Sequence, residues 1–388
     1  MTTALWSRPD IHLSSQLEAD VLIVGGGYVG LSTAYWLKEL NPEKKIILLE
    51  GQKIGSGASG RNAGFLTKGS ASFYHKLFSD WGLTEALSIY KYAQDSIDLV
   101  VDRILKDKKG IEFEATRSLT LFSDSHFYES VKKNKLDLSL FQFSWCDEKE
   151  LPLGLRQNFV GAFENKNEYK INPMQLLELL RDQCLLRGVK IIESNVAYEL
   201  VPSGLKTETH LIKASSVILA LNGYSAQFHP AFKKYIFPHR AQMLAVELTE
   251  DLDSSALHYD PSERVYWRIQ GKNKLLIGGK RLINEASEAG DYERISPQIQ
   301  HALEDYLHEK IRVKFKILNR WAGIMGFTST ELPIISKVEA PLETLVVAGF
   351  SGHGMGLGFK AGQEAAEVIL GLKDESYFSK FNSVDLKL

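Results

Sequence analysis

Cysteine is scarce in this chain: Cys146 and Cys184 are the only two in 388 residues, with no CxxC pair and no histidines at ligand spacing beside them. A disulfide framework and a thiolate zinc centre are therefore excluded as organising features, no metal is expected, and two buried thiols are the expectation. Long apolar runs are lacking as well. No stretch reaches the roughly eighteen consecutive apolar residues that a spanning helix needs, so no membrane span is expected. The opening residues, MTTALWSRPDIHLSS, show no basic segment followed by an apolar core, which points to a cytoplasmic protein. An excess of charge of either sign is also missing: 46 Lys and Arg stand against 48 Asp and Glu, a net charge of -2. Without a basic field no nucleic-acid partner is expected, and a small molecule fits better. Internal repeats and low-complexity tracts are absent, and the basic runs KDKKG and KKNK read as solvated helix ends.

What is present is an ordinary globular composition, 44% hydrophobic and 24% charged, long enough for two or three domains that interleave in sequence. ADVLIVGGGYVGLSTAYWLKELNP starts with the apolar run Val21 to Val24, a strand of the kind buried in a parallel sheet. It enters Gly25, Gly27 and Gly30 in GxGxxG spacing and then a helical pattern that Asn41 and Pro42 end. A second apolar run, Ile46 to Leu49, closes on Glu50, where a carboxylate accepts hydrogen bonds from ribose hydroxyls. Strand, turn, helix, strand and acid together make a dinucleotide fingerprint. It does not separate NAD from FAD.

The next stretch, GSGASGRNAG, places Ser59, Arg61 and Asn62 among Gly55, Gly57, Gly60 and Gly64, offering hydroxyl, guanidinium and amide donors along a chain able to lie close to a ligand. A nicotinamide enzyme usually runs on into another strand and helix here, so the loop favours a flavin. This run resembles the second motif of the D-amino-acid-oxidase-like flavoprotein superfamily, and in particular its gamma-glutamylputrescine oxidase branch. The resemblance implies a Rossmann-like FAD-binding domain interleaved with a mixed or antiparallel-sheet substrate domain, in an α/β chain. It also implies non-covalent FAD, with Ser59, Arg61 and Asn62 along the diphosphate and near the ring.

At the far end, LETLVVAGFSGHGMGLGFKAGQEAAEVILG gives a strand from Leu345 to Ala348, a glycine-paved turn and a helix ending near Gly371. A helix N-terminus there presents N–H groups and a positive dipole end to negative charge at a flavin's N1/C2 carbonyl edge. GFSGHGMGLG resembles the superfamily's C-terminal FAD signature, which implies contacts from Gly352, Gly354, Met355, Gly356 and Leu357. Between the two ends, Asn172 caps a helix with Pro173 at its first position, and Gly188 leads to a strand expected to run through Val196. The resemblance implies that the Val196 backbone meets the adenine. SSVILALNGYS reads as a further strand, and its Asn222 and Gly223 as structural.

AQMLAVEL, RVYWRI and KLLIGG read as antiparallel strands, the last two joined through Gly271, with a helix capped by Ser296 and Pro297 after them. With Ile111 to Phe122 and VKFKI they make a sheet covering the open face of the flavin. Candidate catalytic residues are Tyr266, Trp321, His353 and Arg61. Only one of Tyr266 and Trp267 faces the flavin, because adjacent strand residues point to opposite sides. Segment NRWAGIMGFTSTELPIIS resembles the family segment that crosses the flavin, with departures: Met325 replaces the arginine of glycine and D-amino-acid oxidases and the flavin-bonded cysteine of sarcosine oxidases. Gly356 replaces a lysine and Thr330 an aspartate. The bidentate α-carboxylate site is thereby weakened.

The expected domains are 1–85, 155–228 and 335–388 for FAD, and 86–154 and 229–334 for the substrate. The expected function is oxidation of the C–N bond of a primary or secondary amine, gamma-glutamylputrescine-like, by hydride transfer to flavin N5 and hydrolysis of the imine. Oxygen or another acceptor would take the electrons. The alternatives are an amino-acid oxidase or dehydrogenase clamping its carboxylate with Arg61 or Arg268, a flavin-binding protein without turnover, and a nicotinamide-linked dehydrogenase.

Overall fold

The computed structural model describes residues 16–72, 74–133, 143–382 and 384–388; the opening stretch and part of the KKNK run lie outside them. Two sheets organise the described chain. The first runs in the order Ile334–Val338, Glu343–Ala348, Leu211–Leu219, Gln16–Val24, Ile46–Leu49, Lys190–Ile192. Glu343–Ala348 through Lys190–Ile192 are mutually parallel, and Ile334–Val338 is an antiparallel edge. Parallel strands covered on both faces must be apolar on both, and all four residues of Ile46–Leu49 are buried. One face carries the helices Tyr28–Leu40, Pro173–Leu186 and Gly354–Ile369; the other buries Leu22, Val24, Val217 and Phe232.

The first and last helices lie side by side although more than 300 residues separate them in sequence. Trp36 Nε1 donates to Phe359 O at 3.1 Å, and a Cβ on Gly358 would stand 2.8 Å from the Tyr28 ring. Their N-terminal turns therefore open at the same edge of the sheet.

The second sheet is mixed, in the order Phe315–Phe327, Phe237–Leu248, Lys274–Gly279, Val265–Gln270, Leu257–Asp260, Phe113–Phe122, Gly161–Ile171, Phe65–Leu66. Helix Pro297–Tyr306, capped by Ser296 Oγ, packs Leu303 and Tyr306 with Val265, Trp267 and Ile277 on its outer face. The opposite face turns toward the glycine turns, so the strand alternation decides which side chains meet a ligand.

Several boundaries differ from expectation. The strand after Gly188 stops at Ile192 because Ser194 takes a left-handed conformation, φ 57°, and its N–H donates to Gln52 O. Strands Phe65–Leu66 and Gly161–Ile171 join the second sheet although the sequence boundaries place them with the nucleotide-binding segments. Helix Tyr74–Val100, kinked at Gly82, runs across residue 85. The strand expected from Ile111 starts at Phe113.

Candidate active site

The phosphate end is made of backbone. Gly30 lies where a Cβ would come within 1.9 Å of Gly25 O, so only glycine lets the first helix close onto the strand. Gly27, the N-cap, supplies no capping side chain, and Tyr28 N–H donates to Ser59 Oγ at 2.9 Å. Glu50 accepts from Gly26 N at 2.7 Å and from Gln52 N at 2.8 Å, one bond per oxygen. A carboxylate has about four lone-pair sites, so two remain for ribose hydroxyls. Val196, exposed, lies beside Gly51, whose Cβ would stand 3.5 Å from Val196 Cγ2. An exposed valine next to the ribose acid is a suitable shelf for an adenine.

The SGRN segment is a short helix, Ala58–Arg61, and here the structure departs from the sequence reading. Arg61 is turned to protein partners: Nε donates to Ser56 O, Nη1 to Ala322 O at 3.0 Å, and Nη2 pairs with Glu293 at 2.8 Å. Asn62 lines the cavity described below, but its amide donates to Ala58 O and Ser59 O while its oxygen accepts from Gly64 N. Trp321 Nε1 donates to Arg61 O at 2.8 Å, and Trp321 is not in the cavity wall. Arg61 spends three of its five N–H groups on Ser56, Ala322 and Glu293, while the Asn62 amide and the Trp321 indole bond to carbonyls of the segment itself. They brace the loop.

Between the glycine turns and the second sheet lies a cavity of about 330 Å³, walled by Phe65, Tyr266, Met325, Phe327, Glu331, His353, Met355 and Gly356 among others. Gly356 belongs here because a Cβ would stand 2.2 Å from Thr67 O, and Gly352 because its φ of 91° favours glycine, its α-carbon facing Met325 Sδ. Gly354 starts the last helix, whose N-cap His353 gives no side-chain cap, and His353, Met355 and Gly356 at this helix start line the cavity. Leu357 is fully buried in the core behind it. Asn222 is structural: its side-chain oxygen accepts from Gly349 N at 3.0 Å and pins the closing loop.

The Tyr266 and Trp267 alternatives are resolved by burial. Tyr266 lines the cavity, 5.9 Å ring to ring from Phe65, whereas Trp267 is inaccessible and stacks 3.5 Å from His258 in the outer core. Arg268 shares the face of Tyr266 but is buried, giving Nε to Ala63 O, Nη2 to Ile171 O and Nη1 to Glu112 at 3.0 Å. It is not in the cavity wall.

Burial sets the protonation of this region. It holds the His353 imidazole down at about 4, so the ring is neutral near pH 7, and its Nδ1 is buried without a hydrogen-bond partner. It pushes the Tyr266 hydroxyl up to about 12 and holds His258 at about 3. Lys68 and Glu168 form a buried couple in which Glu168 accepts from Lys68 N at 3.0 Å; burial raises the carboxyl and lowers the ammonium. Lys68 Nζ donates to Lys166 O at 2.8 Å. Glu331, the acidic side chain among the described residues of the wall, accepts from Ser72 Oγ.

The sequence reading missed Lys68, Glu168, Glu331, Arg264 and Arg281. Glu331 carried one faint signal, standing one residue beyond Thr330 in the segment that departs from the family pattern. The others carried none, because their juxtaposition depends on strand pairing.

An FAD suits this geometry. The first helix, whose N-cap Gly27 carries no side chain, and Glu50 match a nucleotide diphosphate and ribose, and the glycine-lined last turn closes on the cavity where a ring would extend. Known proteins agree. The family model for FAD dependent oxidoreductases, DAO, matches residues 20–368. A gamma-glutamylputrescine oxidoreductase of Escherichia coli is 25% identical over 95% of this chain and 87% of its own length. A probable oxidoreductase, OrdL, of Haemophilus influenzae is 26% identical over the same shares. Glycine oxidase from Geobacillus kaustophilus has the same fold, with a TM-score of 0.75 at 18% identity over 95% of this chain and 99% of that one. This chain therefore belongs to the DAO family of FAD dependent oxidoreductases.

Proposed function

We propose that this enzyme oxidises the carbon beside a neutral primary or secondary amine of the gamma-glutamylputrescine type, using non-covalently held FAD. The observation that carries this reading is the wall around Met325. A thioether stands next to the closing loop, and Arg61 and Arg268, the arginines of the amino-acid alternative, are committed to carbonyls and carboxylates elsewhere. A thioether offers an anion neither charge nor hydrogen-bond donor. Non-covalent attachment is supported by the cysteines, which are buried and absent from the cavity wall.

The backbone of Gly25, Gly27 and Gly30 would hold the diphosphate, Glu50 the ribose and Val196 the adenine, with Ser59 bracing the turn. Gly352, Gly354, Met355, Gly356 and Leu357 would meet the ring through the N-terminus of the last helix. When bound, the isoalloxazine supplies the hydride acceptor, and water hydrolyses the resulting imine. The protein's own work is placement. Glu331 attracts the incoming ammonium, Tyr266 encloses the carbon that bears it, and neutral His353 accepts a hydrogen bond from the amine N–H. Arg61 and Trp321 act through the loop they brace.

Anaerobic mixing of the purified holoenzyme with gamma-glutamylputrescine, putrescine, sarcosine, glycine and D-amino acids, followed at the visible flavin band, tests this. Bleaching by the diamine compounds alone is expected. Bleaching by the amino acids alone would overturn the reading of Met325, and an intact flavin band with every compound would mark a flavoprotein without amine turnover.

A further inference from the structure

The cavity wall also carries two guanidinium groups with no role in the scheme above. Arg264 precedes strand Val265–Gln270 and Arg281 follows strand Lys274–Gly279; these strands pair antiparallel with Val265 opposite Gly279, so the hairpin register brings both arginines to one rim. Neither side chain forms an ion pair or hydrogen bond with another described residue. The adjacent acid, Glu263, is taken by Lys280. Arg281 lies half-buried with its Cζ 4.3 Å from the Phe327 ring centre, and the charged or ionisable groups around it are Arg264, Tyr259, Tyr266, His239, Glu285 and Glu331. Glu285 and Glu331 lie near but form no ion pair with either arginine, Glu331 being bonded to Ser72 Oγ, and two like charges drawn together and partly desolvated are costly until an anion joins them directly. Lys68, the third cation of the wall, is already held by Lys166 O and Glu168.

We infer that Arg264 and Arg281 form a carboxylate subsite for the far end of the amine substrate, an inference that rests on the amine-oxidation reading for the near end. Position separates this subsite from an α-carboxylate clamp. Phe327 is two residues beyond Met325 on the same strand face, about 7 Å along it, whereas Met325 is the residue that touches the closing loop. An acid held over Phe327 therefore belongs several atoms from the oxidised carbon. The substrate class is an amine with a remote carboxylate, such as an acylated diamine whose acyl group ends in an acid. Paired guanidinium forks suit a planar carboxylate through bidentate bonds.

The first test needs no turnover. Calorimetric titration of the holoenzyme with glutarate, a carboxylate without an amine, should show binding that Arg281→Gln and Arg264→Gln each weaken by at least about tenfold and that Arg281→Lys retains in part. The visible flavin spectrum of each variant reports whether the FAD site has folded. Equal glutarate binding by wild type and both glutamine variants, or no binding by wild type, would overturn the subsite. Tighter binding of inorganic phosphate than of glutarate would overturn the carboxylate assignment. The second test compares flavin reduction by N-(4-aminobutyl)glutaramic acid and by its terminal primary amide. The acid should half-saturate at a concentration at least about tenfold lower, and Arg281→Gln should erase that preference. If glutarate binding depends on Arg281 while no amine reduces the flavin, the subsite stands and amine oxidation falls. If amines reduce the flavin while glutarate ignores both arginines, the reverse holds.

Discussion

The two ends of the ligand trough are built from different materials. At the nucleotide end the contacts come from backbone: helix N-termini, glycines against carbonyls, and a single carboxylate whose oxygens are half used. At the cavity end they come from side chains on strands of the second sheet, with Tyr266, Met325, Phe327, Arg264 and Arg281 reaching one space from three different strands or their ends. A backbone site has almost no freedom to vary, because replacing one glycine closes it. A side-chain site changes specificity by one substitution without disturbing the sheet. On the proposed reading the first region fixes the cofactor and the second the substrate.

The sharpest way to break the nucleotide end is Gly30→Ala. Its Cβ would lie 1.9 Å from Gly25 O, a backbone atom that cannot move aside. FAD content of the purified protein, read as the ratio of visible to ultraviolet absorbance, should fall at least about tenfold. Full occupancy would mean that the turn does not hold the diphosphate.

The cavity end should answer substitution by a change of preference instead. Met325→Arg restores a guanidinium beside the closing loop and should raise flavin reduction by glycine or sarcosine relative to the diamine substrate by about tenfold or more, with FAD content retained. An unchanged ratio would show that Met325 does not face the substrate's α-substituent. A smaller effect is expected from Arg61→Ala, which removes the brace to Ala322 O and Glu293. FAD should bind a few-fold more weakly, by about 1 kcal/mol, while the preference among amines stays as in wild type. A change of preference with normal FAD affinity would place Arg61 among the substrate contacts.

The mildest test is pH. His353 and His258 titrate in the fold at about 4 and about 3, against an ordinary value near 6.5. Below pH 6.5 the unfolded chain takes up protons on these histidines that the folded chain refuses, so their share of the stability is full above that value and is lost toward pH 4. Relative to wild type, the thermal midpoint of His353→Asn should therefore gain as pH falls from 7 to 4.5, which changes the slope of midpoint against pH. An identical slope in the variant would show that His353 is freely protonated in the fold.

What the sequence made legible follows the same division. Gly25, Gly27, Gly30, Glu50 and the 352–357 turn could be read because their geometry is enforced locally, within one strand, turn and helix. The alternation rule narrowed Tyr266 and Trp267 to one cavity-facing residue, and the helix behind the sheet, through Leu303 and Tyr306, decided which. The fate of Arg61 was not legible. Its partners Glu293 and Ala322 are more than 230 residues away and arrive only when the second sheet closes over the SGRN helix. Arg264 and Arg281 were invisible for the same reason, since 17 positions of sequence become one rim through the pairing of Val265 with Gly279.

The central claim, that the site takes amines and refuses an α-carboxylate, is tested most directly by one competitive turnover. The anaerobic holoenzyme is mixed with equal concentrations of gamma-glutamylputrescine and D-alanine until the flavin band is lost, and the carbonyl product is trapped and identified. The account predicts the aldehyde derived from the diamine end. Pyruvate as the main product would contradict it.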